Sequence, residues 1–275
     1  MRIGFIGAGN MGGAIIKGYA AALAGMKAPP DELYAFDADA AKAEALAAGA
    51  EGRVALCGSL AALVEASDMV VLAVKPNAME GVLEGIRDLP GGAGKVFVSI
   101  AAGVSIGFLR GFLGAGAQAV RVMPNTPAMV GEGMSALYAD AALPQEAREA
   151  ATRLFGGVGK AVWVADEDLM HIVTGISGSS PAYAYMYMEA LIAEGVEGGL
   201  TEGQATLLAA QSTLGAAKMV LENAGVVDPV QLRVNVCSPG GTTIEAVHVL
   251  EEGGFRETLR RATDACVKKS RLMAK

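Results

Sequence analysis

An α/β chain is what this sequence predicts, with a parallel sheet in its first part and an all-α second part. Three observations predict it. A short β-rich run, Arg2 to Ile6, leads through the glycines of GAGNMG into a helical pattern that continues to Leu23. Short apolar runs then alternate with helical segments, the order expected of parallel strands covered by helices on both faces. From about Glu146 the pattern changes to long helical segments, with one more strand candidate at Ala161 to Val164.

The strand candidates are, in order, Arg2–Ile6, Leu33–Phe36, Arg53–Leu56, Met69–Val74, Val96–Ile100 and Ala119–Met123. A first domain is therefore expected over 1–164 and a helical one over 165–275. In the second, Pro181 to Leu200 is apolar around nearly its whole circumference, so it is expected to be buried. Gly203 to Glu222 carries Ala, Gly and Ser at spacings that let helix backbones approach. A helical domain of roughly 110 residues does not easily bury two such helices alone, so part of this surface is expected to be a subunit interface. A monomeric bundle is the alternative.

The glycines carry the first chemical signal. Gly7, Ala8, Gly9, Asn10, Met11 and Gly12 form a GxGxxG between the first strand and the first helix. In that context Gly7 permits the tight turn, Gly9 lets a pyrophosphate reach the backbone, and Gly12 allows helix and strand to pack closely. The free amides and the dipole of the helix N-terminus favour the phosphates. The first domain is thus expected to be a Rossmann-like dinucleotide-binding domain, followed by an all-α dimerisation domain.

Asp37 follows the second strand candidate, where an acid accepts hydrogen bonds from the ribose hydroxyls of NADH and repels the extra phosphate of NADPH. Asp39 adds a second acid, and no cation occurs from there until Lys42, so the sequence leans toward NADH. A plain capping role for Asp37 on the next helix is the alternative. Other strand ends at the carboxyl edge are expected to line the cofactor: Ala73, Val74, Lys75 and Pro76 in AVKPN, and Ala101, Ala102 and Gly103 in SIAAG. The prolines of MPNTPA stiffen a loop from which Asn125 and Thr126 can reach the carboxamide or the substrate. Lys75 is either a ligand contact or a solvated lysine.

Composition narrows the function classes. The net charge is −7 and the Lys and Arg residues are scattered, which argues against a nucleic-acid binder. No uncharged apolar span of about 20 residues occurs, and the opening MRIGFIG lacks the pattern of a signal peptide, so a soluble cytoplasmic protein is expected. Cys57, Cys237 and Cys266 form neither a CxxC pair nor a disulfide framework. His171 and His248 fit no metal spacing.

Taken together, IGFIGAGNMG, AVKP, SIAAGV, MPNTPA, VTGISGSSPAYAYM and CSPGGTTIEAVHVLEEGGFR resemble the pyrroline-5-carboxylate reductase family over essentially the whole chain. The last two motifs are the most specific. The resemblance implies a Rossmann domain for NAD(P)H and helical domains of two subunits that intertwine, so that each active site uses both. It also implies homodimers that can assemble into decamers. The substrate, pyrroline-5-carboxylate, is then expected on the Ser-Pro-Gly-Gly-Thr-Thr loop. Ser238, Gly241, Thr242 and Thr243 match the positions that hold it, with Thr243 at the ring nitrogen as the catalytic group. Asn235 and Glu167 match further substrate-lining positions. The chain departs from the family at FDADAA, where many members carry Ser, Thr or Arg suited to NADPH. His248 lies three residues after Glu245 and is expected on the helix surface beside it.

Reducing a cyclic imine to proline needs hydride at carbon and a proton at nitrogen. The cofactor carries the harder step, and a basic imine nitrogen needs no strong acid, so a loop poor in charge suits the reaction. A hydroxyacid dehydrogenase would use a lysine or a Tyr/Lys pair. No lysine lies between Lys160 and Lys218, and no tyrosine has a lysine four residues later. A non-catalytic NAD-binding regulator would not need the SPGGTT and GSSPAY loops.

Overall fold

Among the residues described by the computed structural model, which are 1–27, 29–89, 92 and 94–275, eight strands form one sheet. In spatial order they are β3 (Val54–Leu56), β2 (Glu32–Phe36), β1 (Arg2–Ile6), β4 (Met69–Leu72), β5 (Val96–Ser99), β6 (Gln118–Met123), β7 (Gly133–Tyr138) and β8 (Gly159–Trp163). The first six are parallel in the doubly wound order, and strand order reverses between β1 and β4. Val74 and Ile100 lie just beyond β4 and β5, where the chain leaves the sheet at its carboxyl edge.

Strand β7 was not among the candidates, and it pairs antiparallel with β6 and parallel with β8. A short 3-10 turn, Thr126–Val130, joins β6 to β7, and Gly131 takes φ +77° after it. So short a link cannot cross over the sheet, which forces the antiparallel pairing. GMSALY carries too little β-branched character for β7 to be seen in sequence alone.

Among the described residues, the helices that accompany the sheet are α1 (Asn10–Ala24), α2 (Ala40–Ala48), α3 (Leu60–Ala66), α4 (Met79–Arg87), α5 (Ile106–Leu113), α6 (Gln145–Gly156) and α7 (Leu169–Val173). Alternation along the strands divides the core. Met69 and Val71 pack with Ile15, Ile16 and Phe155 on one face, while Val70 and Leu72 pack with Leu63, Leu83 and Leu109 on the other. At the amino edge, the buried Asp31 carboxylate joins three elements. It accepts from Tyr19 on α1, from Arg153 on α6 and from the Met1 ammonium. Burial opposes ionisation of Asp31, but these donors outweigh it and hold its carboxyl below the usual range.

Two compact units result, 1–179 with 266–275, and 180–265. The sequence-based division at 164/165 falls earlier, because α7 and the π turn Thr174–Gly178 pack on β7.

The second unit contains α8 (Ser180–Glu197), α9 (Glu202–Glu222), α10 (Pro229–Val236), α11 (Thr242–Glu252) and the first part of α12 (Phe255–Leu272). Thr201 and Gln204 form a reciprocal capping box at the start of α9. The small residues do bring α8 and α9 together: a Cβ on Gly195 would stand 3.1 Å from the Ala205 Cβ. The expectation that 181–200 is buried is not met within one chain. No residue of α8 is buried, and Met186, Leu207 and Leu208 are 68%, 68% and 59% exposed. Among the described residues nothing covers them, and such apolar faces mark contacts with another molecule.

Candidate active site

The carboxyl edge between β1 and β4 is built by backbone. The Gly7 amide donates to the Phe36 carbonyl and the Ala73 amide to the Ile6 carbonyl, both at 2.9 Å. Gly7 takes φ +104°, and a Cβ there would come within 2.7 Å of the Ala73 oxygen. A Cβ on Gly12 would lie 2.6 Å from the Gly7 oxygen and 2.7 Å from the Ala73 Cβ. Gly9 differs, since a Cβ there would meet nothing within 4 Å. Gly9 is also the N-cap of α1 and offers no side-chain cap, so the first-turn amides around Asn10 and Met11 have no side-chain acceptor from it. An open face of bare backbone at a helix N-terminus fits a pyrophosphate. Beside it lies a cavity of about 410 Å³ lined by Ala8, Gly9, Asn10, Lys17, Lys42 and Met129, among others.

Asp37 stands at the end of β2 as expected, but its carboxylate also braces the glycine turn. Oδ2 accepts from the Ala8 amide at 2.7 Å and Oδ1 from the Asp39 amide at 2.9 Å. Capping of α2, the alternative role, is not what it does: the N-cap is Asp39. Lys42 pairs with Asp39 at 3.1 Å, and this partner holds the Asp39 carboxyl below its ordinary value.

Ala73, Val74, exposed Lys75 and Pro76 follow β4, while Ala101, Ala102 and Gly103 follow β5. Asn125 proves to be buried and internally engaged. Its Oδ1 accepts from the Met134 amide at 2.8 Å, and its Nδ2 donates to the Ser177 carbonyl at 3.0 Å. The side chain expected to reach for the carboxamide thus ties the loop after β6 to β7 and to the π turn. Exposed Thr126 starts the 3-10 turn.

Glu167 lies in the first unit. Its Oε1 accepts from the Ile106 amide at 2.9 Å, at the start of α5, and from Arg121 Nη1 at 3.1 Å. Arg121 went unnoticed in sequence, although a cation inside the apolar run QAVRVM requires a buried carboxylate partner. Its side chain is only 7% exposed. His171 is buried nearby, with Nδ1 2.9 Å from Ser270 Oγ. Burial first, and then the Arg121 charge, lower its pKa.

In the second unit the SPGGTT loop turns on two glycines and launches α11. Gly240 takes φ +69°, the Gly241 amide donates to the Ser238 carbonyl at 3.0 Å, and Gly241 is the N-cap without a side-chain capping bond. Ser238 and Thr242 are exposed and Thr243 half-buried, so one loop collects hydroxyls and helix-terminal amides with a single first-turn acid, Glu245. Asn235, on the last turn of α10, accepts from Gln231 at 2.8 Å. His248 is exposed further along α11. Among the described residues, no group of three or more His, Cys, Asp or Glu side chains could hold a metal ion, and no helix is long and apolar enough to cross a membrane.

Two family models match the chain. Residues 167–273 match the family model described as pyrroline-5-carboxylate reductase dimerisation, and residues 2–103 match the one described as NADP oxidoreductase coenzyme F420-dependent. The pyrroline-5-carboxylate reductase of Pasteurella multocida (strain Pm70) is 42% identical over 98% of this chain and 97% of its own. The solved structure of the Coxiella burnetii pyrroline-5-carboxylate reductase superposes with a TM-score of 0.90 at 35% identity, covering 99% of this chain and 98% of that one. The Plasmodium falciparum pyrroline carboxylate reductase, solved with NADP bound, gives 0.83 at 30% identity over 100% and 98% of the two chains. With the glycine turn, the doubly wound sheet and the SPGGTT loop in place, and relatives of this identity aligned from end to end, the chain belongs to the pyrroline-5-carboxylate reductase family.

Proposed function

We propose that the chain reduces the C=N bond of 1-pyrroline-5-carboxylate to give L-proline, using NADH or NADPH. It is an oxidoreductase acting on a CH–NH group, at the last step of proline synthesis. The observation that carries this reading is the loop opening α11: its amides and hydroxyls suit a small carboxylate, and full-length relatives carry the reductase name.

When bound, the nicotinamide supplies hydride to the imine carbon. Gly7 to Gly12 hold its pyrophosphate and Asp37 its ribose, while Ala73 to Pro76 and Ala101 to Gly103 wall the edge; Asp37 favours NADH. Asn125 acts by stiffening the loop after β6. Ser238, Gly241 and Thr242 hold the substrate carboxylate, with Asn235 and Glu167 shaping the surroundings. Thr243 places a hydroxyl at the ring nitrogen. Positioning then provides much of the acceleration, worth up to about 7 to 11 kcal/mol where reacting groups are well oriented.

In this reading 1–164 is the cofactor domain and 165–275 the substrate and dimerisation domain, a division supported by the family match over 167–273. The exposed apolar side chains of α8 and α9 support a homodimer, and further assembly into a decamer follows the family resemblance. Steady-state oxidation of NADH and of NADPH with pyrroline-5-carboxylate tests the proposal. Turnover is expected with at least one cofactor, and none with either would overturn it.

A further inference from the structure

Residues Met273 to Lys275 follow α12 and lie on the loop after β5. The Lys275 amide donates to the Gly103 carbonyl at 2.8 Å, and Ser105 Oγ donates to the Lys275 carbonyl at 2.7 Å. The Lys275 ammonium reaches Glu80 on α4 at 2.9 Å and stands 5.6 Å from the centroid of the Phe108 ring. The fit is close from the other side as well. Gly103 takes φ +78°, and a Cβ there would come within 2.7 Å of the Met273 oxygen. Pro76, Asn77, Ala102 to Val104, Met273 and Lys275 together line a cavity of about 240 Å³. The last turn of α12 is itself anchored, by Ser270 to His171 at 2.9 Å and by Arg271 to Asp168 at 2.8 Å.

Ala101 and Val104 pin the two ends of the loop in the core, but the Ala102–Gly103 stretch between them has little of its own to hold it. Ala102, which is exposed, and Gly103 carry no side chain that could fix this stretch, and the loop's internal bonds are long: Ala101 N to Ser99 Oγ at 3.3 Å and Val104 N to Ala101 O at 3.4 Å. The Gly103 carbonyl accepts its short bond from the Lys275 amide, and Ser105, whose Oγ also caps α5 by accepting from the Phe108 amide at 3.0 Å, donates its own to the Lys275 carbonyl.

We infer that Met273 to Lys275 are positioning residues for the nicotinamide cofactor, holding Ala101 to Ser105 in the shape that walls the cofactor edge. This rests on the cofactor reading above. The backbone bonds matter more than the charge, because the Lys275–Glu80 pair is half exposed on both sides and such pairs contribute little.

Two variants of the full chain separate these contributions. Lys275→Pro removes the amide that bonds Gly103, whereas Lys275→Met removes only the ammonium. Hydrogen exchange of the peptide covering 100–105 is expected to quicken by roughly three- to ten-fold in Lys275→Pro, with the Kd for NADH or NADPH, titrated by fluorescence, rising by a similar factor. Lys275→Met should move both by less. Exchange in β1 and β4 and the thermal midpoint, within about 2 °C, should stay as in the parent, which a general loss of stability would not allow. Superimposable cofactor titrations for the parent and Lys275→Pro would overturn the inference. A parent chain that binds neither cofactor would instead overturn the cofactor reading, and the exchange measurement would still decide whether the tail holds the loop.

Discussion

The Ala8 amide and the Asp37 carboxylate, 29 positions apart, are joined by a 2.7 Å hydrogen bond that closes the glycine turn over the end of β2. One carboxylate therefore does two jobs in the proposed site. It braces the glycine turn, and in the proposed cofactor reading it presents negative charge where the extra ribose phosphate of NADPH would lie.

Asp37→Ser should separate these jobs. Removing the charge relieves repulsion of NADPH, so the ratio of kcat/KM for NADPH to that for NADH is expected to rise roughly 10- to 100-fold. Loss of the Ala8 bond should also cost about 1 kcal/mol of stability. Parallel steady-state assays with both cofactors, alongside a thermal melt, check the prediction; an unchanged ratio would remove Asp37 from cofactor discrimination.

Thr243→Ala is expected to lower kcat by roughly 10- to 100-fold, the effect of one hydrogen bond to a group carrying charge. Thr243→Ser, which keeps the hydroxyl, should recover most of it. Because the proposed contact is made at the reacting nitrogen, the loss should fall on kcat more than on KM for the imine. An unchanged kcat would exclude Thr243 from the chemistry.

Met186 and Leu208 are mostly exposed on α8 and α9 of the single chain. In a homodimer covering these helices, Met186→Asp combined with Leu208→Asp would bury two unpaired charges, which costs several kcal/mol. Sedimentation equilibrium should then show a shift toward monomer. A doubly substituted chain with the parent's mass would move the interface elsewhere.

His171 couples stability to pH. Burial lowers its folded pKa below the ordinary 6.5, reinforced by Arg121 and Arg271 and opposed by Asp168 and Glu167. The unfolded chain therefore binds the proton more readily. Stability should be full above about pH 6.5, fall as pH drops below it, and level off once pH passes the folded value. Urea midpoints between about pH 7.5 and 5.5 should decline more steeply for the parent than for His171→Gln. Equal slopes would assign the dependence to other groups.

Much of this is legible in the sequence alone, for a physical reason. GAGNMG announces its turn because Gly7 and Gly12 stand where a Cβ meets backbone, and SPGGTT announces a helix start because glycines and hydroxyls suit one. Met69 to Leu72 read as a strand buried on both faces because the run is apolar without alternation. All of these are local constraints, carried by neighbours in the chain. Only the folded chain decided the rest. β7 exists because a short turn after β6 leaves antiparallel pairing as the available partner, not because GMSALY favours a strand. Asn125 is bonded inward to Met134 and Ser177, Glu167 is set against Arg121, and Lys275 lies on Gly103. Apart from the Asn125–Met134 bond across one turn, these pairs join residues that the chain separates and only the packing of the elements brings together. A pattern of hydrophobic period and turn residues carries no record of such partners, because their choice depends on which elements become neighbours.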